Sequence, residues 1–110
     1  MAVLTVQQLT RAGITPTYAA AAGGGDSFPN DGQTFVQFKN TNAAARNVTI
    51  ATQVTVDGKA VADDVINVPL TTGDVMVGPF PPGIYNDVNG RVQLTYDAVT
   101  NLTVGVFRLV

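Results

Sequence analysis

From Phe28 onward, apolar residues recur at every second position. Val36 and Phe38 fall on one face of an extended chain, with Gln37 and Lys39 on the other. Val48 and Ile50 oppose Asn47, Thr49 and Ala51. Val92, Leu94 and Tyr96 alternate with Gln93, Thr95 and Asp97, and Leu102, Val104 and Val106 alternate with Thr103, Gly105 and Phe107. Shorter pairs, Ile66 with Val68 and Val75 with Val77, repeat the pattern. Successive side chains of a strand point to opposite faces, so a period of two predicts half-buried strands. All eight acidic residues are aspartate. Aspartate favours turns and caps, whereas glutamate favours helix interiors, so the choice also argues against helices.

The punctuation between these runs is explicit. Asp57-Gly58 and Asn89-Gly90 are the dipeptides of type I′ hairpin turns. Asn30-Asp31-Gly32 and Thr72-Gly73-Asp74 mark two further turns, and Asp97 to Asn101 is positioned to close the last hairpin. Six to eight short antiparallel strands with turn signals this frequent predict a single β-sandwich or jelly-roll-like barrel. At 110 residues the chain is one domain and can bury an ordinary hydrophobic core. Residues 26–110 are assigned to that sandwich and residues 1–25 to an N-terminal arm with an Ala/Gly-rich tail. Thr5 to Gly13 fits either a short helix, capped by Thr5 and ended by Gly13, or an extended arm.

One segment breaks the alternation. Gly78, Pro79, Phe80, Pro81, Pro82 and Gly83 place three prolines and two glycines in six consecutive positions. Proline fixes φ and removes a donor, so the segment is expected to be neither helix nor central strand. It is expected to be a stiff corner linking the strands around Val75 and Leu94. Phe80 is read as a plug for one end of the core, and Tyr85 as exposed. Ile84, Tyr85 and Asn86 become candidates for partner contact, since a preformed loop loses little entropy on docking. On that reading Tyr85→Ala weakens assembly more than folding. The apolar and aromatic residues of the arm, Leu4, Val6, Leu9, Ile14 and Tyr18, are further contact candidates.

Several function classes are poorly served by this composition. Histidine and cysteine are both absent, which removes the commonest general base, the commonest metal ligand and all thiol chemistry. A nucleophile therefore lacks a histidine base, and Asp63-Asp64 are adjacent in sequence rather than paired across a cleft. No catalytic residues are assigned and the chain is not expected to be an enzyme. Asp57, Asp63 and Asp64 could offer oxygens to calcium, but their spacing fits no EF-hand loop, and a solvated turn is the simpler reading. Gly23-Gly24-Gly25 lacks the Lys-Ser/Thr pair of a phosphate-binding loop and is followed by Asp26. No cofactor and no metal are expected. The six basic residues are scattered, so nucleic acid is not an expected partner. No apolar run approaches a membrane span and the first residues do not resemble a signal peptide, so neither a membrane nor secretion is expected. The sequons Asn47-Val48-Thr49 and Asn101-Leu102-Thr103 are read as chance in a Thr-rich chain. A carbohydrate-binding module is the binding alternative, but the aromatic platform of such a site is commonly Trp, which is absent. Only 13% of residues are charged, against about 25% for an ordinary soluble domain. Part of the surface is therefore expected to be covered in use.

The layout of the chain resembles a known group. Leu4-Thr5-Val6-Gln7-Gln8-Leu9 is followed by Gly13-Ile14-Thr15-Pro16-Thr17-Tyr18 and the small-residue run Ala19–Gly25. Phe28-Pro29-Asn30-Asp31-Gly32-Gln33-Thr34-Phe35 and Val36-Gln37-Phe38-Lys39-Asn40 come next. Then come Gly78-Pro79-Phe80, Tyr85-Asn86-Asp87, Gly90-Arg91-Val92-Gln93-Leu94-Thr95-Tyr96 and Val104-Gly105-Val106-Phe107-Arg108-Leu109. Over nearly its whole length this resembles the small all-β capsid decoration, or cement, proteins of tailed bacteriophages. The resemblance lies in layout and carries no residue-by-residue functional map. It implies a virion protein on the outer surface of the capsid, bridging and stabilising major capsid subunits. It implies self-association too, with a trimer favoured. A tail, neck or head-fibre component is the alternative place in the same particle.

Overall fold

The computed structural model describes residues 2–109. Met1 and Val110, the outer ends of the arm and of the sandwich as delimited above, lie outside the described residues. Along the chain come β1 (Ala2–Val3), β2 (Val6–Gln8), β3 (Ala19–Ala20), β4 (Asp26–Pro29), β5 (Thr34–Asn40) and β6 (Arg46–Ile50). Then follow β7 (Thr55–Val56), β8 (Lys59–Ala60), β9 (Asp64–Val68), β10 (Gly73–Val77), α1 (Pro82–Tyr85), β11 (Arg91–Tyr96) and β12 (Leu102–Arg108). They form a β-sandwich. One sheet has the order β1-β4-β11-β6-β9, and the other the order β10-β5-β12-β2, with β3 also on β12. A separate hairpin, β7-β8, projects from the body.

The core lies between the sheets. Phe28, Val48, Ile50, Val68, Val92 and Leu94 enter it from the first sheet, and Val36, Phe38, Leu102, Val104 and Val106 from the second. All are almost fully buried. These are the inward positions of the period-two pattern, and the removal of their apolar surface from water is the main force holding the sheets together. β12 departs from the pattern. Its outward positions Gly105 and Phe107 are buried too, because the arm and Phe35 lie over that face.

The arm is extended, with no helix over 5–13. β1 pairs with β4 and β2 pairs with β12, both parallel. Leu4 and Thr5, between them, carry the chain from one sheet to the other. The arm thus closes one margin of the sandwich. Residues 2–20 contribute strands to both sheets.

Several local expectations need correction. The corner does contain a helical turn, Pro82–Tyr85, which starts on a proline. At the first helical position the missing N–H is not needed and the fixed φ is already helical, so proline begins the turn instead of breaking it. Asp57 and Gly58 both have positive φ, 53° and 73°, as a type I′ turn requires. At Asn89-Gly90 only Gly90 does, at 74°. That turn is instead held by Asp87, whose carboxylate accepts from the Asn89 and Arg91 N–H groups. The turn expected at Thr72-Gly73-Asp74 falls earlier, over 70–72, with Thr71 at φ 63° and Gly73 already in β10. Asp97 to Asn101 does not close a hairpin. β11 and β12 belong to different sheets, so this loop crosses the sandwich.

Candidate assembly surfaces

Gly78–Asp87 leaves β10 in the second sheet and leads to β11 in the first. It begins with a cis Gly78-Pro79 bond. Phe80 is 2% exposed and packs on Phe28, with ring centroids 5.8 Å apart, and edge-on against Tyr85 at 5.3 Å. The segment is tied down by polar contacts from distant parts of the chain. Asn30 Nδ2 donates to the Phe80 carbonyl at 2.9 Å and to Asn86 Oδ1 at 2.7 Å. Asn86 Nδ2 donates back to the Asn30 carbonyl at 2.8 Å. The Tyr85 hydroxyl donates to Asp64 at the start of β9, and the Gln93 amide donates to Asp87.

The electrostatics follow these bonds. The contact with Asp64, then burial, raises the Tyr85 phenol above its ordinary value. The Gln93 amide, then the Arg91 N–H, holds the Asp87 carboxyl below its ordinary value. Asp31 is lowered in the same sense, first by the Gln33 N–H and then by Arg108.

The contact candidates of the corner therefore separate. Ile84 is exposed at 38%. Tyr85 is half-buried against the core and bonded to Asp64, not exposed. Asn86 is half-buried and bonded reciprocally to Asn30. Tyr85→Ala accordingly opens the packing beneath Phe80 and bears on folding, contrary to the expectation that it mainly touches assembly.

The arm candidates separate in the same way. Leu4 is 8% exposed and part of the core, so it is not free for a partner. Val6 packs against the core. Gln7 clamps the return of the arm: its Nε2 donates to the Thr17 carbonyl at 2.8 Å, and its Oε1 accepts from the Thr17 N–H at 2.9 Å. Arg108 holds β2 by donating to Gln8 at 2.9 Å, and it forms an ion pair with Asp31. Tyr18 lies over β12, edge-on to Phe107 at 6.0 Å. Its hydroxyl donates to Gln37, and the Lys39 ammonium sits 4.4 Å from its ring centre. Leu9 and Ile14 line a groove of about 350 Å³ on the outer face of the second sheet, together with Pro16, Phe35, Met76 and Phe107.

Sequence reasoning missed three features. Met76 stands 61% exposed at the rim of that groove. Asn30 is the hub of the corner; its Asn-Asp-Gly context signals a turn, but not its long-range partners. Asp26 is fully buried inside the sandwich, where one carboxylate oxygen accepts from the Tyr96 hydroxyl at 2.7 Å and the Ala22 N–H at 3.2 Å. Burial, then that bond, raises the Tyr96 phenol well above its ordinary value.

Asp63 accepts from the Thr52 N–H, Asp64 from Tyr85, and Asp57 lies at the hairpin turn. Among the described residues no group of three or more acidic side chains is placed to hold a metal ion. No described helix is long and apolar enough to cross a membrane. No protein-family model, curated protein or solved structure matches the chain.

Proposed function

We propose that the chain is a non-enzymatic virion protein: a capsid decoration protein that binds the outside of a phage head and strengthens contacts between major capsid subunits. Self-association, with a trimer favoured, belongs to the same proposal. One observation carries it. The polar side chains with long-range partners are used in seams that fix the fold, such as Asn30 with Asn86, Tyr85 with Asp64, and Tyr96 with Asp26. Large apolar side chains, by contrast, remain on the surface, with Val65 and Met76 each 61% exposed and Leu70 52% exposed. This is the distribution of a rigid body built to be covered. The low charge content and the layout of the sequence support the same reading. Copies repeated over a shell act together, so each individual contact can be modest.

Copy number in purified particles tests the proposal. Occupancy at the symmetry-related positions of the whole shell, seen by cryo-electron microscopy, is the expected result. A handful of copies at one vertex would instead assign the chain to a neck, tail or fibre.

A further inference from the structure

The margin of the sandwich opposite the arm ends in two strands with a free side. Among the described residues, β9 pairs as a strand with β6 alone, and β10 with β5 alone. An edge strand leaves the N–H and C=O groups of alternate residues pointing outward, a template for another strand. Proteins usually blunt such edges with lysine, proline or a bulge. β10 has none of these. Its register with β5 is unbroken from Gly73 to Val77, and its one charged residue is Asp74. Val75 and Val77 face the core but are only half-buried, since no strand continues the sheet beyond them. Met76 faces outward beside the groove formed with Phe35 and Phe107.

Of charged residues, the two strands of this margin carry acidic ones alone, Asp64 on β9 and Asp74 on β10. Between Lys59 and Arg91 the sequence contains no basic residue, while Asp63, Asp64, Asp74 and Asp87 all fall there. Asp74 accepts from the Gln37 amide at 2.6 Å, and Asp64 accepts from the Tyr85 hydroxyl. Lys39 stands across from Asp74 on β5, but its ammonium lies over the Tyr18 ring and makes no ion pair with Asp74, so both carboxylates are held by neutral donors. The one ion pair among the described residues, Arg108 with Asp31, joins β12 to the loop before β5 and leaves this margin untouched.

We infer that the free edge of β10 receives an extended, basic segment of a partner protein as an added strand. The pattern of β10 defines the chemistry of that segment. Side chains on its inward face are apolar and complete the cover over Val75 and Val77. On its outward face a lysine or arginine lies beside Asp74, and an apolar side chain lies beside Met76 at the groove. Main-chain bonds give affinity in this mode and the alternating side chains give specificity. A second copy of the chain is a poorer occupant, because meeting through this margin brings like charges together. The chemistry of the segment is the same whether or not its carrier is a phage capsid.

The test is a nuclear magnetic resonance titration of the full chain with a blocked synthetic peptide that has valine at its inward positions and, at successive outward positions, lysine to meet Asp74 and leucine to meet Met76. A second peptide has the same side chains but N-methyl groups on alternate amides, which keeps the charge and removes the hydrogen bonds. The expected result is shift changes and slowed amide exchange confined to β10 and its neighbours with the first peptide only. Asp74→Lys, an exposed change whose fold is checked by unchanged melting, should weaken binding on the order of fivefold. Absence of binding, equal binding of the N-methylated peptide, or shifts centred on another strand would overturn the inference. So would slowed β10 exchange that depends on protein concentration without peptide, which would assign the edge to a second copy.

Discussion

A Cβ on Gly105 would stand 2.8 Å from Cδ1 and 3.0 Å from Cε1 of Tyr18. The arm is seated on β12 at the one position where that strand has no side chain. Gly105→Ala must therefore push the Tyr18 ring away, and Phe107 Cε2, at 3.1 Å, limits any accommodation by β12 itself. The substitution is expected to cost about 1–3 kcal/mol, the usual range for overpacking. It should also speed amide exchange in the arm. Gly23→Ala is the control, because nothing lies within 4 Å of its Cβ position. Denaturant unfolding of both variants, with exchange measured at Gln7 and Thr17, checks this.

The Asn30–Asn86 pair predicts a second asymmetry. Asn86→Ala removes the donor to the Asn30 carbonyl and one acceptor of the Asn30 amide, leaving Asn30 buried with fewer partners. A loss of about 1–3 kcal/mol is expected, the cost of leaving buried polar groups unpaired. The neighbouring Ile84→Ala, at an exposed position, should cost less than about 1 kcal/mol. Urea midpoints measured at constant m-value decide between them.

Tyr96 and Asp26 set a prediction for alkaline solution. The phenol of Tyr96 is raised in the folded protein by burial and by its bond to Asp26. A raised value means that the folded state holds the proton longer than the unfolded chain does. The resulting stability is fully present below the unfolded value, about 10, and is lost as pH rises above it. Tyr85, raised by Asp64, acts in the same direction. Tyr96→Phe should make the fall in stability between neutral and strongly alkaline pH shallower. At neutral pH it should cost about 1–3 kcal/mol, since the buried Asp26 carboxylate then keeps only the Ala22 N–H. Unfolding free energies on both sides of the tyrosine range check the sign.

Acid acts through Asp87. Its carboxyl is lowered by Gln93 and by the Arg91 and Asn89 N–H groups, so the folded state favours the charged form. That contribution is present above the unfolded value, about 3.9, and is lost as pH falls through the folded one. Asp87→Asn should flatten the acid limb of the stability curve. It should not abolish that limb, because Asp31 is lowered in the same sense. A pH series of melting temperatures is sufficient.

The sequence carried the inward faces of the strands and little of their arrangement. Period two is a local property, so Val36 with Phe38, Val92 with Leu94, and Leu102 with Val104 and Val106 were legible without knowing their neighbours. The sheet to which a strand belongs is not local. The turn chemistry at Asp97–Asn101 predicts a hairpin, yet that loop crosses between sheets, because turn residues do not specify whether the next strand pairs with its predecessor. Proline at Pro82 excludes a helix interior but not a helix start. Tyr85, beside a run of proline and glycine, read as exposed, and Asn86 as a residue for partner contact. Their partners Asp64 and Asn30 lie far away in the sequence and reach them only once the sandwich has formed. The fold class was thus readable, whereas the candidate contact surface had to be redrawn around Ile84, Met76 and the edge of β10.

The claim that this chain reinforces a phage head is tested most directly by calorimetry of expanded shells stripped of it. Added back to saturation, the protein should raise the melting temperature of the shell, with the effect levelling off at a fixed ratio of chain to capsid subunit. Identical melting with and without the protein would contradict the account.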